Sequence, residues 1–218
     1  IKELDKMKSE FLNMVSHELR TPLTPIQAYS ELMMIKKMDE QKVKSYAAII
    51  NKETQRLGAL IGDLLDLSRI ESGKGLSLSL EEVDFGELIR TVYETFKSAS
   101  EKHKIILTIP EKSEKILVDR NKMIQVLTNL LSNAVKYSPD GGNIYISMEE
   151  KEDRIYVSVK DEGMGISKED LQHIFEKFYR AKTEQVKKIG GTGIGLPIVK
   201  YILELHNGGI DVQSEYGK

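Results

Sequence analysis

Four residues in "NLLSNAVKYSPDGG" have the types and spacing to hold a metal-bound polyphosphate. Asn129 and Asn133 stand one helical turn apart, on the face that also carries Lys136 and Tyr137. An amide oxygen is a hard, neutral ligand suited to Mg²⁺, which keeps most of its waters and shares phosphate oxygens. Lys136 would supply positive charge to those phosphates, and Tyr137 a flat face for a base. The same letters also describe a helix end with surface polar side chains ahead of a Pro-Asp-Gly-Gly turn.

Two glycine-bearing stretches extend the set. In "DEGMGI", Asp161 follows an apolar strand, and Gly163 and Gly165 permit a tight turn against a ligand. A buried carboxylate at that strand end accepts hydrogen bonds from an exocyclic amine such as that of adenine; an ordinary Asp-Gly turn reads identically. In "GGTGIGLPIVK", Gly190, Gly191, Gly193 and Gly195 precede an amphipathic helix whose first turn tolerates Pro197. Such glycines let backbone N–H groups approach phosphate oxygens, and the helix N-terminus adds partial positive charge. No Lys-Ser/Thr pair follows, so this is not a Walker loop, and a Rossmann fingerprint would need a preceding strand and turn. Between the two glycine stretches, "SKEDLQHIFEKFYRAKTEQVKKIGG" reads as a helix and then a long Lys-rich loop. Loops of that length often serve as lids, and Arg180 and Lys182 sit where a lid brings positive charge onto a terminal phosphate.

The remaining candidate is His17 in "FLNMVSHELRTPL", with Glu18 beside it, Thr21 one turn on and Pro22 straight after. The stretch alone is compatible with a solvated surface histidine or with a reacting group. His103, His173 and His206 fall late in helical stretches with no carboxylate neighbour arranged like Glu18, which assigns them structural or solvated roles. No pair of histidines has zinc-site spacing.

These residues need scaffolds of two kinds. The first third is helical throughout. Leu12, Val15, Leu19, Pro22, Ile26, Tyr29 and Met33 recur at steps of three and four. His17 lies opposite that seam, in a polar stripe with Glu3, Glu10 and Thr24. Val43, Ile50, Leu57 and Leu64 repeat every seven residues in a second helix, with Leu60 and Leu67 between and Asp39 as its N-cap. The polar "KKMDEQK" between them makes an antiparallel hairpin, which cannot bury both seams alone, so two chains completing a four-helix bundle is the economical solution. From "ESGKG" onward the period changes. "LSLSL", "KIILTIP", "NIYISMEE" and "RIYVSVKD" read as strands. "FGELIRTVYETFKSASEKH", "DRNKMIQVLTNLLSNAVKYS" and "GLPIVKYILELHNGG" read as helices, the last ending in a Gly pair suited to a C-cap. The predicted fold is a helical hairpin over residues 1–72 followed, over residues 73–218, by an α/β sandwich with a mixed sheet and helices on one face.

Composition narrows the function. The 218 residues are 40% hydrophobic and 30% charged, a soluble globular balance. A net charge of -2 with interspersed signs gives no basic face for nucleic acid or a membrane surface. There is no cysteine, which excludes thiolate metal sites and cysteine nucleophiles. No apolar run approaches the roughly 20 residues of a membrane span, so any membrane attachment is expected from segments outside this sequence.

The stretches above, in this order and over nearly the whole chain, resemble a sensor histidine kinase of two-component signalling: a dimerisation and histidine-phosphotransfer hairpin, then a catalytic ATP-binding domain. The resemblance implies that His17 is the phosphoacceptor, that Asn129, Asn133, Lys136 and Tyr137 form the N-box with Asn133 on Mg²⁺, and that Asp161, Gly163 and Gly165 form the first glycine box with Asp161 on the adenine amine. It implies further that Phe175, Phe178, Tyr179 and Arg180 form the F-box with Arg180 on the γ-phosphate, and that Gly191, Thr192, Gly193, Ile194, Gly195 and Leu196 close over the phosphates.

The reaction so implied is ATP-dependent phosphorylation of His17, with Glu18 taking the ring proton, in a cytoplasmic homodimer. Phosphotransfer to the receiver domain of a response regulator would follow, and Thr21 completes a "HELRT" pattern associated with dephosphorylating that partner. Two departures stand out: Pro197 replaces the more usual Ala, and the chain stops at "SEYGK" where relatives run into a last strand. The competing readings are an ATP hydrolase of the same nucleotide-binding superfamily and an inactive dimeric signalling scaffold. The hydrolases commonly carry a Glu where Asn129 stands, and the scaffold has no need of intact glycine boxes. Because His17 and the nucleotide lie on separate domains, a rigid residue at Gly73 or Gly75 in "SGKG" is expected to slow the reaction.

Overall fold

A computed structural model describes residues 2–99, 102–181 and 183–217. The chain divides into two compact units, one of Ile1–Leu76 with Gly190–Ile194, the other of Ser77–Ile189 with Gly195–Lys218.

The first unit is built on two long helices, α1 (Lys2–Ile35) and α2 (Glu40–Glu71). α1 runs unbroken through Pro22 and Pro25, although neither can donate to the carbonyl one turn earlier. Hydroxyls supply extra donors there: Thr21 Oγ1 donates to the His17 carbonyl and Thr24 Oγ1 to that of Arg20, both at 3.0 Å. Asp39 caps α2, accepting from the Lys42 N–H at 2.8 Å. The seams meet along the hairpin, with the Tyr29 and Tyr46 rings 4.7 Å apart. Among the described residues no helix is long and apolar enough to cross a membrane.

The second unit contains β1 (Glu81–Asp84), α3 (Phe85–Ala99), β2 (His103–Thr108), β3 (Lys115–Val118), α4 (Arg120–Lys136), β4 (Gly142–Lys151), β5 (Arg154–Asp161), α5 (Lys168–Leu171), α6 (Glu184–Lys188) and α7 (Gly195–Leu205). β1 and β3 pair antiparallel. β2, β4 and β5 form a mixed sheet in that order, β2–β4 parallel and β4–β5 antiparallel. Parallel β2 and β4 must be joined by a crossover, and α4 lies within it. Alternation along β4 sends Ile144, Ile146 and Met148 inward. Leu88 and Ile89 of α3, Leu131 of α4, and Ile198, Val199 and Ile202 of α7 are buried with them.

Local chemistry overrode the predicted elements at several places. "LSLSL" is not a strand, because the Ser79 N–H donates to Asp119 Oδ2 at 2.8 Å and the ladder begins only at Glu81, opposite Val118. The helix read as running to His103 does not include it: α3 is described over Phe85–Ala99, and His103 opens β2. α7 is closed by Asn207 rather than by its Gly pair: Asn207 takes φ 56°, and the Gly208 N–H returns to the Leu203 carbonyl at 2.8 Å. Only Lys168–Leu171 of the stretch before the second glycine run is helical, and the loop after it contains α6.

The other histidines are structural. His206 Nδ1–H donates to the Ile202 carbonyl (2.7 Å) while Nε2 accepts from the Asp119 N–H (3.0 Å). His103 Nε2–H donates to the Ser138 carbonyl at 2.8 Å. His173 does have a carboxylate neighbour, with Nδ1 2.8 Å from Glu176 Oε1 across one turn.

Candidate functional site

On the hairpin, His17 is exposed and Glu18 is nearly covered, with side-chain exposures of 77% and 11%, and His17 Nδ1 is 4.0 Å from Glu18 Oε1. Sequence reasoning missed Arg56. From α2 its Nη2 stands 3.6 Å from Glu18 Oε2, and its Nη1 is 3.9 Å from Glu53. Glu18 is therefore flanked by the imidazole on its own helix and a guanidinium from the other. Nothing in the spacing of α1 points to a partner 38 residues downstream, because only the register of the hairpin sets it.

In the second unit, α4 places Asn129, Asn133, Lys136 and Tyr137 half-buried near its C-terminal end, while Met123, Val126, Leu127, Leu131 and Ala134 face the core. Neither asparagine amide has a hydrogen-bond partner among the described residues. A Cβ on Gly195, the first residue of α7, would stand 3.0 Å from Asn129 Oδ1, so a side chain there would crowd the asparagine at the helix N-terminus. The Lys136 ammonium lies 5.2 Å from the centre of the Tyr137 ring. Burial pushes the Tyr137 hydroxyl above its ordinary pKa, with the charge of Arg180 pulling the other way.

Asp161 ends β5 and corrects one expectation: its side chain is exposed rather than buried. Oδ1 accepts from the Gly163 N–H at 3.0 Å, which forms the turn. Gly163 lies under the Tyr137 carbonyl, 2.4 Å from where a Cβ would be, and Gly165 takes φ +68°. The next residue, Glu162, faces away, tied to the Asn143 N–H and side chain and to the Tyr145 hydroxyl.

The F-box residues are set by a different network. Ser167 caps α5 and donates to Asp170 Oδ2, and Tyr179 Oη donates to Asp170 Oδ1, both at 2.6 Å. Burial, reinforced by the Asp170 bond, pushes the Tyr179 hydroxyl up to about 12. The Ser167 hydroxyl, then that of Tyr179, hold Asp170 below its usual range. Phe178 takes φ 68°, an uncommon conformation for a bulky residue. Arg180 Nη2 donates to the Val186 carbonyl at 2.8 Å and to that of Ile189, so its guanidinium closes the C-terminus of α6. Phe175 is half-buried. Lys182 lies outside the described residues.

The glycine run has Gly191 at φ 139° and Gly193 at φ 69°, and leads into α7. Thr192 and Leu196 are half-buried and Ile194 is buried. Among the described residues no group of three or more His, Asp or Glu side chains is placed to hold a metal. A single free amide oxygen on Asn133 suits an ion that takes its other ligands from phosphate and water.

Comparison with known proteins covers both units. Residues 7–73 match the family described as "His Kinase A (phospho-acceptor) domain", and residues 118–218 match "Histidine kinase-, DNA gyrase B-, and HSP90-like ATPase". The chain is 36% identical over 220 residues to the sensor histidine kinase WalK of Bacillus subtilis, matching 99% of this chain and 36% of that protein. It thus spans about a third of the length of the curated relatives it matches. The solved Acinetobacter baumannii histidine kinase AdeS is 30% identical with a TM-score of 0.61, covering 92% of each chain. The histidine kinase ThkA, solved in complex with the response regulator protein TrrA, is 28% identical with a TM-score of 0.57 over 95% of this chain and 57% of that one.

Proposed function

The chain belongs to the histidine kinases of two-component systems, and on that premise we propose that it transfers the γ-phosphoryl group of ATP to His17 and then to an aspartate of a response regulator. The observation that carries this reading is the pairing of an exposed His17 with a covered carboxylate on Glu18, in a chain that also carries the Asn133–Asp161–glycine set.

Adenine would be held by the Asp161 carboxylate beside Tyr137, and the phosphates by Lys136 and the backbone N–H groups of residues 191–196. Asn133 would lend one oxygen to Mg²⁺, which would supply positive charge to offset that of the phosphates. A neutral imidazole nitrogen of His17 attacks the γ-phosphorus, the bond to the bridging oxygen breaks, and ADP leaves. Glu18 accepts the proton from the other ring nitrogen, with Arg56 beside it. Arg180 and Lys182 are assigned to the terminal phosphate. Arg180 would have to leave the α6 carbonyls to reach it.

Two further parts of the reading concern partners. Leu12, Leu23, Ile61 and Leu65 are 56%, 51%, 45% and 58% exposed on one hairpin, an apolar set that a second copy would cover to form a homodimer. Thr21 shares the helix face of His17 and would place a water for dephosphorylation of the regulator. Its hydroxyl donates to the His17 carbonyl and keeps its lone pairs free to accept from that water. ATP is a cytoplasmic donor, and the cytoplasm is where this core is proposed to act.

Incubation with γ-labelled ATP and Mg²⁺ tests the reading. Acid-labile, alkali-stable label is expected on the wild type, absent from His17→Gln and absent without Mg²⁺. Label that survives His17→Gln, or free phosphate without protein label, would overturn it in favour of another acceptor or of hydrolysis.

A further inference from the structure

The hydroxyl of Ser138 has no part in the reading above. Ser138 is 3% exposed, and its Oγ has no hydrogen-bond partner among the described residues. A loose loop does not account for this. The Ser138 carbonyl accepts from the Gly141 N–H at 3.0 Å and from His103 Nε2–H at 2.8 Å, which fixes the backbone. Buried hydroxyls are nearly always paired, so this one asks for a reason.

Its surroundings supply one. A Cβ on Gly163 would stand 2.7 Å from Ser138 Oγ and 2.6 Å from Asp161 Oδ1. The two oxygens therefore border one small space beside Gly163. The Tyr137 carbonyl closes the same space and is already engaged by the Met164 N–H at 3.1 Å. Asp161 Oδ1 holds the Gly163 N–H and has a second lone pair to offer. Asp161 is exposed and can meet a ligand; Ser138 cannot.

We propose that Ser138 is a positioning residue for purine recognition: unpaired among the described residues, its O–H turns to donate to the Asp161 carboxylate across the space beside Gly163 when that carboxylate accepts from the exocyclic amine of a bound adenine. This rests on the assignment of the site to ATP. A carboxylate has room for several donors, and two from the protein (the Gly163 N–H and, once turned, the Ser138 O–H) would fix its plane. An ionised carboxylate is an acceptor only. It matches the amine at the 6-position of adenine and repels the carbonyl that hypoxanthine or guanine carries there. Ser138 thereby sharpens base selectivity without touching the base.

The test is binding of ADP and inosine diphosphate to the 218-residue chain with Mg²⁺ by calorimetry, for the wild type, Ser138→Ala, Ser138→Cys and Ser138→Thr. Ser138→Ala is expected to weaken ADP by about tenfold while inosine diphosphate stays within about twofold, the loss expected when a donor to a charged acceptor is removed. Ser138→Cys, close in size and a poor donor, should reproduce that loss of selectivity even if the alanine variant folds badly; Ser138→Thr should restore it. Equal losses for both nucleotides, or an unchanged ratio, would overturn the proposal and leave Ser138 a packing residue. Wild-type protein that binds ADP no better than inosine diphosphate would instead overturn the assignment of the site itself, and the Ser138 role with it.

Discussion

Arg56 reaches across the hairpin to Glu18, and its half-exposed ion pair sets the scale of what it can contribute. Such pairs are worth up to about 1 kcal/mol, so Arg56→Ala should slow labelling of His17 by about two- to fivefold, with Arg56→Lys recovering part of the rate. Initial rates at saturating ATP measure this. Gly165→Ala should do more. Its φ of +68° and the Glu215 carbonyl 2.2 Å from the Cβ position leave no relaxed place for a methyl, so the variant should lose about 1–3 kcal/mol in denaturant unfolding and bind ADP more weakly. These sites were unequally legible. Asn129, Asn133, Asp161 and the glycines could be proposed from the sequence because the patterns that single them out lie among near neighbours. Arg56 and the hydroxyl of Ser138 do not, since each matters only through a residue that folding brings to it. The exposure of Asp161 was misjudged for a related reason: an apolar strand says which face is buried, not what lies beyond its end.

α4 is anchored at its start by Asp119, which is buried and accepts from the N–H groups of Lys122 at its N-terminus and of Ser79 in the connection between α2 and β1. Burial works against its charge, yet those donors, Ser79 first, hold its carboxyl below the ordinary 3.8. A depressed folded-state value means that its contribution is complete above about pH 4 and is lost as the pH falls through the folded value. Asp119→Asn should therefore be less stable than wild type at pH 7, by about 1 kcal/mol, and the gap should narrow by pH 3 in urea unfolding. The same bond explains why "LSLSL" deceived: period-two alternation marks extended chain, but a strand also needs a ladder, and Ser79 had given its N–H away. Long elements with strong periods, α1, α2, α4 and α7, were readable; β3, four residues of "KILV", was too short to show a period.

The whole chain combines a hairpin whose outer apolar residues lack cover with an α/β unit that buries its own core. If a second copy supplies that cover, Leu65→Arg should convert a dimer to a monomer in light scattering at micromolar concentration, while the isolated fold of the second unit, followed by ADP binding, is retained. A dimer unaffected by Leu65→Arg would place the interface elsewhere. The two-unit plan was visible in the change of sequence period near Ser72; the sharing of residues 190–194 with the first unit was not, because no local pattern records it.

Arg180 gives its guanidinium to the Val186 carbonyl of α6 and to that of Ile189, which caps it. Should a nucleotide compete for it, helix and phosphate become rival tenants of one cation. Whatever frays α6 would then tighten the nucleotide, and the nucleotide would fray α6 by the same factor. Hydrogen exchange of the α6 amides should accelerate on adding ATP and hold steady in Arg180→Ala. Five residues of helix would thus report, in real time, how full the site is.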